Sequence, residues 1–239
     1  MQKVSYSLCS LFFLFLTLHC FSQVEYINTD RPDQSDGVYI VPKNQFQLEY
    51  GIIVANQTFL NDAMLRYGLT RSTEIRLQLD AGKEVSAKGM KPVSISAKQR
   101  IIKQHKFLPA VSFVGYVWFE NIASKDFNGN KIPYELKVAF ENELSNNFVI
   151  AYNIGAADEF KALNLTLNLG ITLSNKVSTF VEYFSTIKQF ENLHNLDAGI
   201  LVVPKPQLQF DIAIGNSIVG TNNSFFTTIG VSYIFKRRE

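Results

Sequence analysis

The sequence predicts an all-β protein, an antiparallel transmembrane β-barrel of about twelve strands with short periplasmic turns and longer extracellular loops. Three observations support this fold class. Segments of about ten residues alternate apolar and polar side chains, as strands with two different faces do. The connections between these segments alternate between tight turns and longer polar stretches. No segment after Gln23 shows helical periodicity over three turns.

The N-terminus has the features of an export signal. An early lysine precedes the apolar run LCSLFFLFLTL, Leu8 to Leu18, and a small residue stands just before Gln23. We predict a signal peptide over residues 1–22 and a mature chain from Gln23. A retained membrane anchor would need a longer apolar run, and lipid attachment at Cys20 is the weaker alternative. Cys9 and Cys20 both lie inside the predicted signal, so no disulfide is expected.

Twelve alternating segments follow one another towards the C-terminus. The clearest is LNLTLNLGITL, in which leucine and isoleucine take every second position from Leu163 to Leu173. Longer connections are expected near 82–91, 119–132, 187–193 and 216–223, all on the extracellular side if the chain starts in the periplasm. The predicted strands are 45–55, 63–70, 73–81, 92–102, 107–118, 133–142, 148–156, 162–173, 177–186, 194–203, 207–215 and 224–235.

The stretch EIRLQLDA, Glu74 to Ala81, shows which way the faces point. Its apolar residues occupy every second place, and charged or amide residues fill the others. A soluble sheet would bury the apolar face, whereas a barrel in lipid turns it outward and encloses the charges. A tilted segment of about ten residues spans roughly 25 Å, the height of a barrel's apolar band. Aromatic residues gather at the segment ends, as at a membrane interface. The barrel is therefore favoured.

The predicted inward positions carry charges of both signs. The basic residues lie in the N-terminal half, while the C-terminal half offers acids and amides. These charges either pair across neighbouring strands and stabilise the barrel, or create a transverse field that orients a polar solute. Apolar inward residues, such as Phe180 and Ile234, either guide apolar solutes or pack against the segment before the first strand. The candidate lumen residues are Glu49, Arg66, Glu74, Arg76, Asp80, Lys98, Arg100, Glu135, Lys137, Glu182, Asp197 and Asp211.

Two stretches resemble a known family. TDRPDQSDGVYIVPKNQFQLEYG, Thr29 to Gly51, and the later LRYGLTRSTEIRLQL are similar to bacterial outer-membrane transporters grouped as MetA-pathway of phenol degradation proteins. The shared pattern is an acidic-Arg-Pro motif, a Val-Pro-x-Gly turn, a Gln-Leu-Glu strand and an Arg-Tyr-Gly strand. Asn44 stands where glycine is usual. The resemblance implies passage of small organic compounds across the bacterial outer membrane.

The resemblance is strongest in the segment that precedes the first predicted strand. Residues 23–44 form either a mobile periplasmic tail or a small plug, in which Asp30 and Arg31 pair with charges on the strands. We favour the plug, followed by a barrel over residues 45–239. The closing TIGVSYIF, ending at Phe235, is similar to the terminal-strand signature read by barrel assembly machinery.

Other functions have little support in the sequence. The 23 basic and 21 acidic residues are interleaved, so no nucleic-acid surface is expected. No cofactor is predicted, and His105 and His194 lie too far apart to suggest a metal site. A hydrolase at the outer rim that uses Ser185 and His194 is the weakest alternative. We predict a non-enzymatic channel, with a closed structural or adhesive barrel as its rival. The predicted partners are outer-membrane lipid, barrel assembly machinery and small solutes.

Overall fold

The computed structural model describes residues 26–190, 192–219 and 225–235. Over these ranges, a single 3-10 turn at Glu120–Ile122 is the only helical element, and no helix has the length and hydropathy needed to cross a membrane. The strands are β1 Phe46–Ala55, β2 Thr58–Gly68, β3 Thr73–Glu84, β4 Ala87–Met90, β5 Val93–Ile102, β6 Ala110–Phe119, β7 Tyr134–Glu143, β8 Phe148–Ala157, β9 Ala162–Ser174, β10 Val177–Lys188, β11 Asn192–Lys205, β12 Leu208–Val219 and β13 Phe225–Phe235.

The strands form one closed antiparallel sheet. β1 pairs with β2 on one side and with β13 on the other, from Phe46 opposite Phe235 to Ala55 opposite Phe226. β3 pairs with β5 along its first half and with β4 near its end, so β4 and β5 share one position in the ring. The predicted twelve-stranded barrel is thereby confirmed. We call the end where β1 begins the turn end and the opposite end the loop end.

The predicted orientation of the strand faces is also confirmed. On β3, Ile75 and Leu77 are 44% and 36% exposed, whereas Glu74 and Arg76 are 0% and 3% exposed. β9 follows the same rule, with four of its five leucines exposed and its central Thr166 and Asn168 buried. This is the reverse of a soluble sheet and is the arrangement of a barrel whose outer surface meets lipid.

The strands at the loop end are longer than the sequence pattern predicts. β2 begins at Thr58 rather than at 63, and β3 continues to Glu84, into the predicted loop at 82–91 that also contains β4. Two-residue turns at 56–57 and 85–86 join these strands to their neighbours, so 120–133 is the long connection at this end among the described residues. A strand that rises beyond the lipid needs no apolar outer face, which explains why alternation fades there.

Residues 26–44, which we call the interior segment, run inside the barrel. Val38 packs with Ala110 and Ala139 in one small apolar cluster, and Ile27 and Val41 pack with Ile234 of β13 in another. Backbone groups take part too: Ile27 N donates to Pro206 O at 2.7 Å. The contacts of Ile234 therefore match the second interpretation of the apolar inward residues, in which they pack against the segment before the first strand.

Candidate functional site

Asp30 of the interior segment lies among three basic side chains. Lys98 Nζ is 2.8 Å from Asp30 Oδ1, Arg76 Nη1 is 2.8 Å from Asp30 Oδ2, and Arg66 Nη1 is 3.5 Å from the same oxygen. These cations come from the inward faces of β2, β3 and β5, which are neighbours in the ring. Burial acts to raise the pKa of Asp30, but the charges of Arg66, Lys98 and Arg76 outweigh it and hold the pKa at about 2.

Asp36 forms a second anchor of the interior segment. It pairs with Arg76 Nη1 at 2.7 Å and with Lys137 Nζ at 2.8 Å, and the Tyr116 hydroxyl donates to it at 2.6 Å. Its backbone N–H donates to Asn153 Oδ1 at 2.7 Å. Burial acts to raise the pKa of Asp36, but the nearby cations hold it well below its usual range. The carboxylate is therefore charged and paired.

Neighbouring strands also pair their own charges. Arg66 lies 2.7 Å from Glu49 and 2.9 Å from Glu74. Both carboxylates also accept from the backbone of the interior segment, Glu49 from Asp30 N at 3.2 Å and Glu74 from Val41 N at 2.8 Å. Buried charges persist when they are paired and hydrogen-bonded in this way. These contacts match the interpretation in which inward charges pair across strands.

Arg31 reaches towards the seam where the barrel closes. Its Nη1 is 2.5 Å from Asp62 Oδ2, and its Nη2 is 3.3 Å from Asp211 Oδ1 and 2.7 Å from Thr228 Oγ1. Asp30 and Arg31 were both predicted to pair with strand charges, and the geometry brings both into such pairs. The guanidinium thus links the interior segment to β2, β12 and β13.

The opposite wall, formed by β9, β10 and β11, carries acids and amides. Glu182 accepts a hydrogen bond from Gln34 N at 2.7 Å and another from the Ser35 hydroxyl. Asn168 Nδ2 donates to Asp33 Oδ2 at 2.6 Å. Asp197 is buried beside Glu182 on the next strand. The interior segment therefore touches both the basic and the acidic sides of the barrel.

The remaining predicted residues lie outside these contacts with the interior segment. Asp80 accepts from the Gln78 side chain at 3.1 Å, and Glu135 accepts from Asn164 Nδ2 at 3.0 Å, both towards the loop end. Arg100 lies at the turn end, where it donates to the Arg71 carbonyl at 2.9 Å. The structure does not bring Arg100 together with the other predicted residues.

Sequence reasoning missed several residues of this site. The acids of TDRPDQSDG recur at every third position, a spacing that could have marked Asp33 and Asp36 as well as Asp30. Asp62 lay in a stretch predicted as a connection but belongs to β2. Tyr116 lies on β6, whose inward face could not be identified because both faces are apolar. Only the pairing with β5 and β7 reveals its orientation.

Among the described residues, two cavities share a boundary inside the barrel, on opposite sides of the interior segment. The loop-end cavity has a volume of about 380 Å³ and is bordered by Gln78, Asp80, Tyr116, Trp118, Glu135 and Phe226. The turn-end cavity has a volume of about 220 Å³ and is bordered by Asn168, Gly170, Thr179 and Phe180. Arg31, Pro32 and Asp33, which we call the partition, border both cavities. These residues separate the two spaces.

The pair suggested for a rim hydrolase does not form a nucleophile and base. Ser185 and His194 are cross-strand partners, but His194 Nδ1 lies 2.5 Å from the Tyr183 hydroxyl. The Ser185 hydroxyl is buried without a hydrogen-bond partner among the described residues. The imidazole therefore does not hydrogen-bond to the hydroxyl that it would have to activate. Within the described ranges, no group of three or more His, Cys, Asp or Glu residues is arranged to hold a metal ion.

A closed antiparallel barrel with an apolar outer surface and a charged interior is an outer-membrane β-barrel. The protein is accordingly located in the outer membrane of a bacterium. The model of the family described as MetA-pathway of phenol degradation matches residues 29–235, so the chain belongs to that family. A comparison with curated proteins gives no significant match.

Solved structures share the fold at low sequence identity. The KdgM porin is 10% identical, with a TM-score of 0.64 over 80% of this chain and 99% of its own. The COG4313 outer membrane channel from Pseudomonas putida F1 is 10% identical, with a TM-score of 0.60 over 85% and 100% of the two chains. The CymD monoaromatic hydrocarbon channel is 9% identical, with a TM-score of 0.50 over 83% and 90%. At this identity the likeness concerns the fold alone.

Proposed function

We propose that the protein is a channel that passes small organic solutes through the interior of the barrel. One observation carries this proposal: two cavities within a closed barrel are separated by only three residues, Arg31, Pro32 and Asp33. A barrier of this size can move as a loop while the strands stay paired. The path would run from the loop-end cavity, past the partition, into the turn-end cavity.

The lining of the loop-end cavity supports an organic solute. The rings of Tyr116 and Trp118 stack with centroids 5.4 Å apart, and Asp80 and Glu135 supply polar groups nearby. Ligand sites commonly combine an apolar or aromatic surface with a few placed polar groups. Proteins of the same fold include a monoaromatic hydrocarbon channel and a porin solved with oligogalacturonate. We therefore infer a solute that has an apolar body and at least one polar group.

The predicted lumen residues take two roles in this proposal. Some would meet the solute directly, because they border the loop-end cavity: Asp80, Glu135 and Lys137. We propose that the interior segment is the plug of the channel. The other predicted lumen residues would hold this plug or line the acidic wall that it touches: Glu49, Arg66, Glu74, Arg76, Lys98, Glu182, Asp197 and Asp211. Arg100 would face solutes at the mouth of the turn end.

The outer surface and the last strand suggest the remaining partners. The apolar side chains that line the outside of every long strand would contact outer-membrane lipid. β13 carries the terminal-strand pattern and would be recognised by barrel assembly machinery during insertion. We propose no enzymatic role, since the Ser185 hydroxyl does not hydrogen-bond to the His194 ring. A closed structural barrel is the competing function, favoured by the many contacts that hold the interior segment in place.

Swelling of liposomes that contain the purified protein tests the proposal. We expect swelling with small neutral organic solutes and little with larger sugars, because the cavities are small. The Asp30→Asn variant, which loosens the plug, should swell faster, while Glu159→Gln at an exposed loop should behave like the wild type. If neither the wild type nor Asp30→Asn admits any solute, the barrel is closed and structural.

A further inference from the structure

Three carboxyl groups meet where the partition touches the wall of the barrel. Glu182 on β10 and Asp197 on β11 are cross-strand partners, and both side chains point inward. Asn168 on β9 is the cross-strand partner of Glu182 on the other side, and it binds Asp33 at 2.6 Å. Glu182 is 0% exposed and Asp197 is 3% exposed. We call Asp33, Glu182 and Asp197 the acid cluster.

No cation balances the acid cluster among the described residues. None of their ion pairs includes Asp33, Glu182 or Asp197. The groups that face Asp33 are Asn168 from β9, Glu182 from β10, Asp197 from β11, and Asp30 on its own segment. Burial and then the charges of Glu182, Asp30 and Asp197 raise the pKa of Asp33 well above its usual range.

Asp197 is the most isolated member of the cluster. Both of its carboxyl oxygens are buried without a hydrogen-bond partner among the described residues. A Cβ placed on the neighbouring Gly215 would lie 2.6 Å from Asp197 Cβ and 2.3 Å from the ring of Phe226, so the Asp197 side chain and this apolar ring both pack against Gly215. A bare carboxylate in such surroundings is very costly, whereas a bound proton removes the charge.

The loop from Asp30 to Asp36, which contains the partition, is held differently at its ends and in its middle. Asp30 and Asp36 are fixed by lysine and arginine side chains, and Arg31 is fixed by Asp62 and Asp211. Gly37 N donates to Asp30 Oδ1 at 3.0 Å, which closes the base of the loop. Gln34 and Ser35, in the middle, contact only neutral or acidic groups, chiefly Glu182. The middle can therefore move while the base remains attached to the basic side of the barrel.

We propose that protons bound by the acid cluster hold the partition against the β9–β11 wall, and that their loss at alkaline pH releases residues 32–35 and joins the two cavities, while Arg31 stays paired with Asp62 and Asp211. The inference rests on the proposed channel function and adds a means of regulating it. Two or three like charges within the cluster repel one another once the protons leave. The released population should grow by up to about tenfold per pH unit for each proton lost.

A spin label at Gln34, next to the partition, tests this inference. Gln34 is exposed towards the loop-end cavity, and the two cysteines of the chain, Cys9 and Cys20, lie in the predicted signal, so Gln34→Cys gives a single labelling position. Electron paramagnetic resonance would follow the mobility of the label between about pH 5 and about pH 9. We expect the label to be immobile at the lowest pH of this range and mobile at the highest.

Variants of the cluster should change that transition. Asp33→Asn combined with Asp197→Asn removes two titrating groups while preserving shape, so the label should stay immobile throughout. Glu159→Gln, on an exposed loop, should keep the wild-type transition. Heat-modified migration on a gel verifies that each variant is a folded barrel. An immobile wild-type label at all pH values, or an unchanged transition in the double variant, overturns the inference.

Liposome swelling at the same pH values separates this inference from the proposed function. Swelling that rises with pH in the wild type but not in the double variant supports both. A label that becomes mobile without any swelling supports the acid cluster and contradicts the channel. Swelling at a constant rate, with a label that never changes, supports the channel and contradicts the acid cluster.

Discussion

The guanidinium of Arg31 occupies the space that a side chain at Gly51 would take. A Cβ built on Gly51 would lie 2.1 Å from Arg31 Nη2, far inside any permitted contact. Gly51 pairs with Gly230 across the β1–β13 seam, and a Cβ there would also lie 2.5 Å from Arg31 Nε. Two facing glycines therefore leave room for the arginine that borders both cavities.

Replacing Gly51 by alanine should displace Arg31 and loosen the partition. The arginine would lose its contacts with Asp62 and Asp211, and hydrogen bonds to charged groups contribute about 1.5–3 kcal/mol each. We expect faster liposome swelling and a more mobile spin label at position 34. Gly115→Ala is the matched control, because a Cβ there would meet only Leu136 Cδ2 at an ordinary 3.6 Å. Equal behaviour of the two variants would contradict the role given to Gly51.

Removing the charge of Asp30 should destabilise the protein strongly. Asp30→Asn leaves the buried Lys98 without its closest carboxylate and removes one of the two carboxylates that pair with Arg76. Breaking one side of a buried ion pair costs about 3–5 kcal/mol. Urea unfolding in detergent, followed by tryptophan fluorescence of Trp118, measures the change. Glu159→Gln removes an exposed ion pair and should leave the unfolding midpoint unchanged. A midpoint for Asp30→Asn equal to that of the wild type would contradict the anchor role.

Acid should release the Asp30 anchor only at very low pH. The pKa of Asp30 is about 2 in the folded protein, compared with an ordinary value of 3.8. Because the pKa is lowered on folding, the charged Asp30 adds about 2 kcal/mol to the free energy of unfolding. This stability is complete above about pH 4 and is lost as the pH falls through about 2. Unfolding midpoints measured between pH 5 and pH 2 should show this fall. Asp30→Asn should show a smaller one, and an identical fall would contradict the assignment.

Neighbouring residues on β3 should respond oppositely to substitution. Leu77→Arg places a cation on the lipid face, which costs about 2–4 kcal/mol near the middle of the bilayer, and should impair assembly. Arg76→Leu changes only the interior, so the barrel should still insert. Because Arg76 holds Asp30 and Asp36, this variant should also open the partition and raise solute passage.

Yields of folded protein in outer-membrane fractions measure the first effect, and liposome swelling measures the second. Normal assembly of Leu77→Arg, together with loss of folding in Arg76→Leu, would mean that the faces of β3 are assigned backwards. The comparison is well matched because the two positions are adjacent on one strand and differ only in the side of the sheet they occupy.

Local alternation was enough to predict the strands and their faces. In a strand, successive side chains point to opposite sides, so Glu74 and Arg76 could be assigned to the interior and Leu77 to the lipid from the sequence alone. The same reasoning failed where the pattern weakens. It placed the start of β2 at 63 instead of Thr58, and it could not orient β6, where both faces are apolar.

By itself, the sequence determined a barrel with a charged interior and the residues that line it, because a period of two is a local property of the chain. The tertiary structure alone decided which interior charges meet. Gln34 binds Glu182 across 148 positions of sequence, and Asp36 binds Asn153 across 117. Such contacts depend on the closure of the ring and on the path of the interior segment through it. Pairing of Asp30 with the cations, and isolation of Asp197 from them, follow from that path.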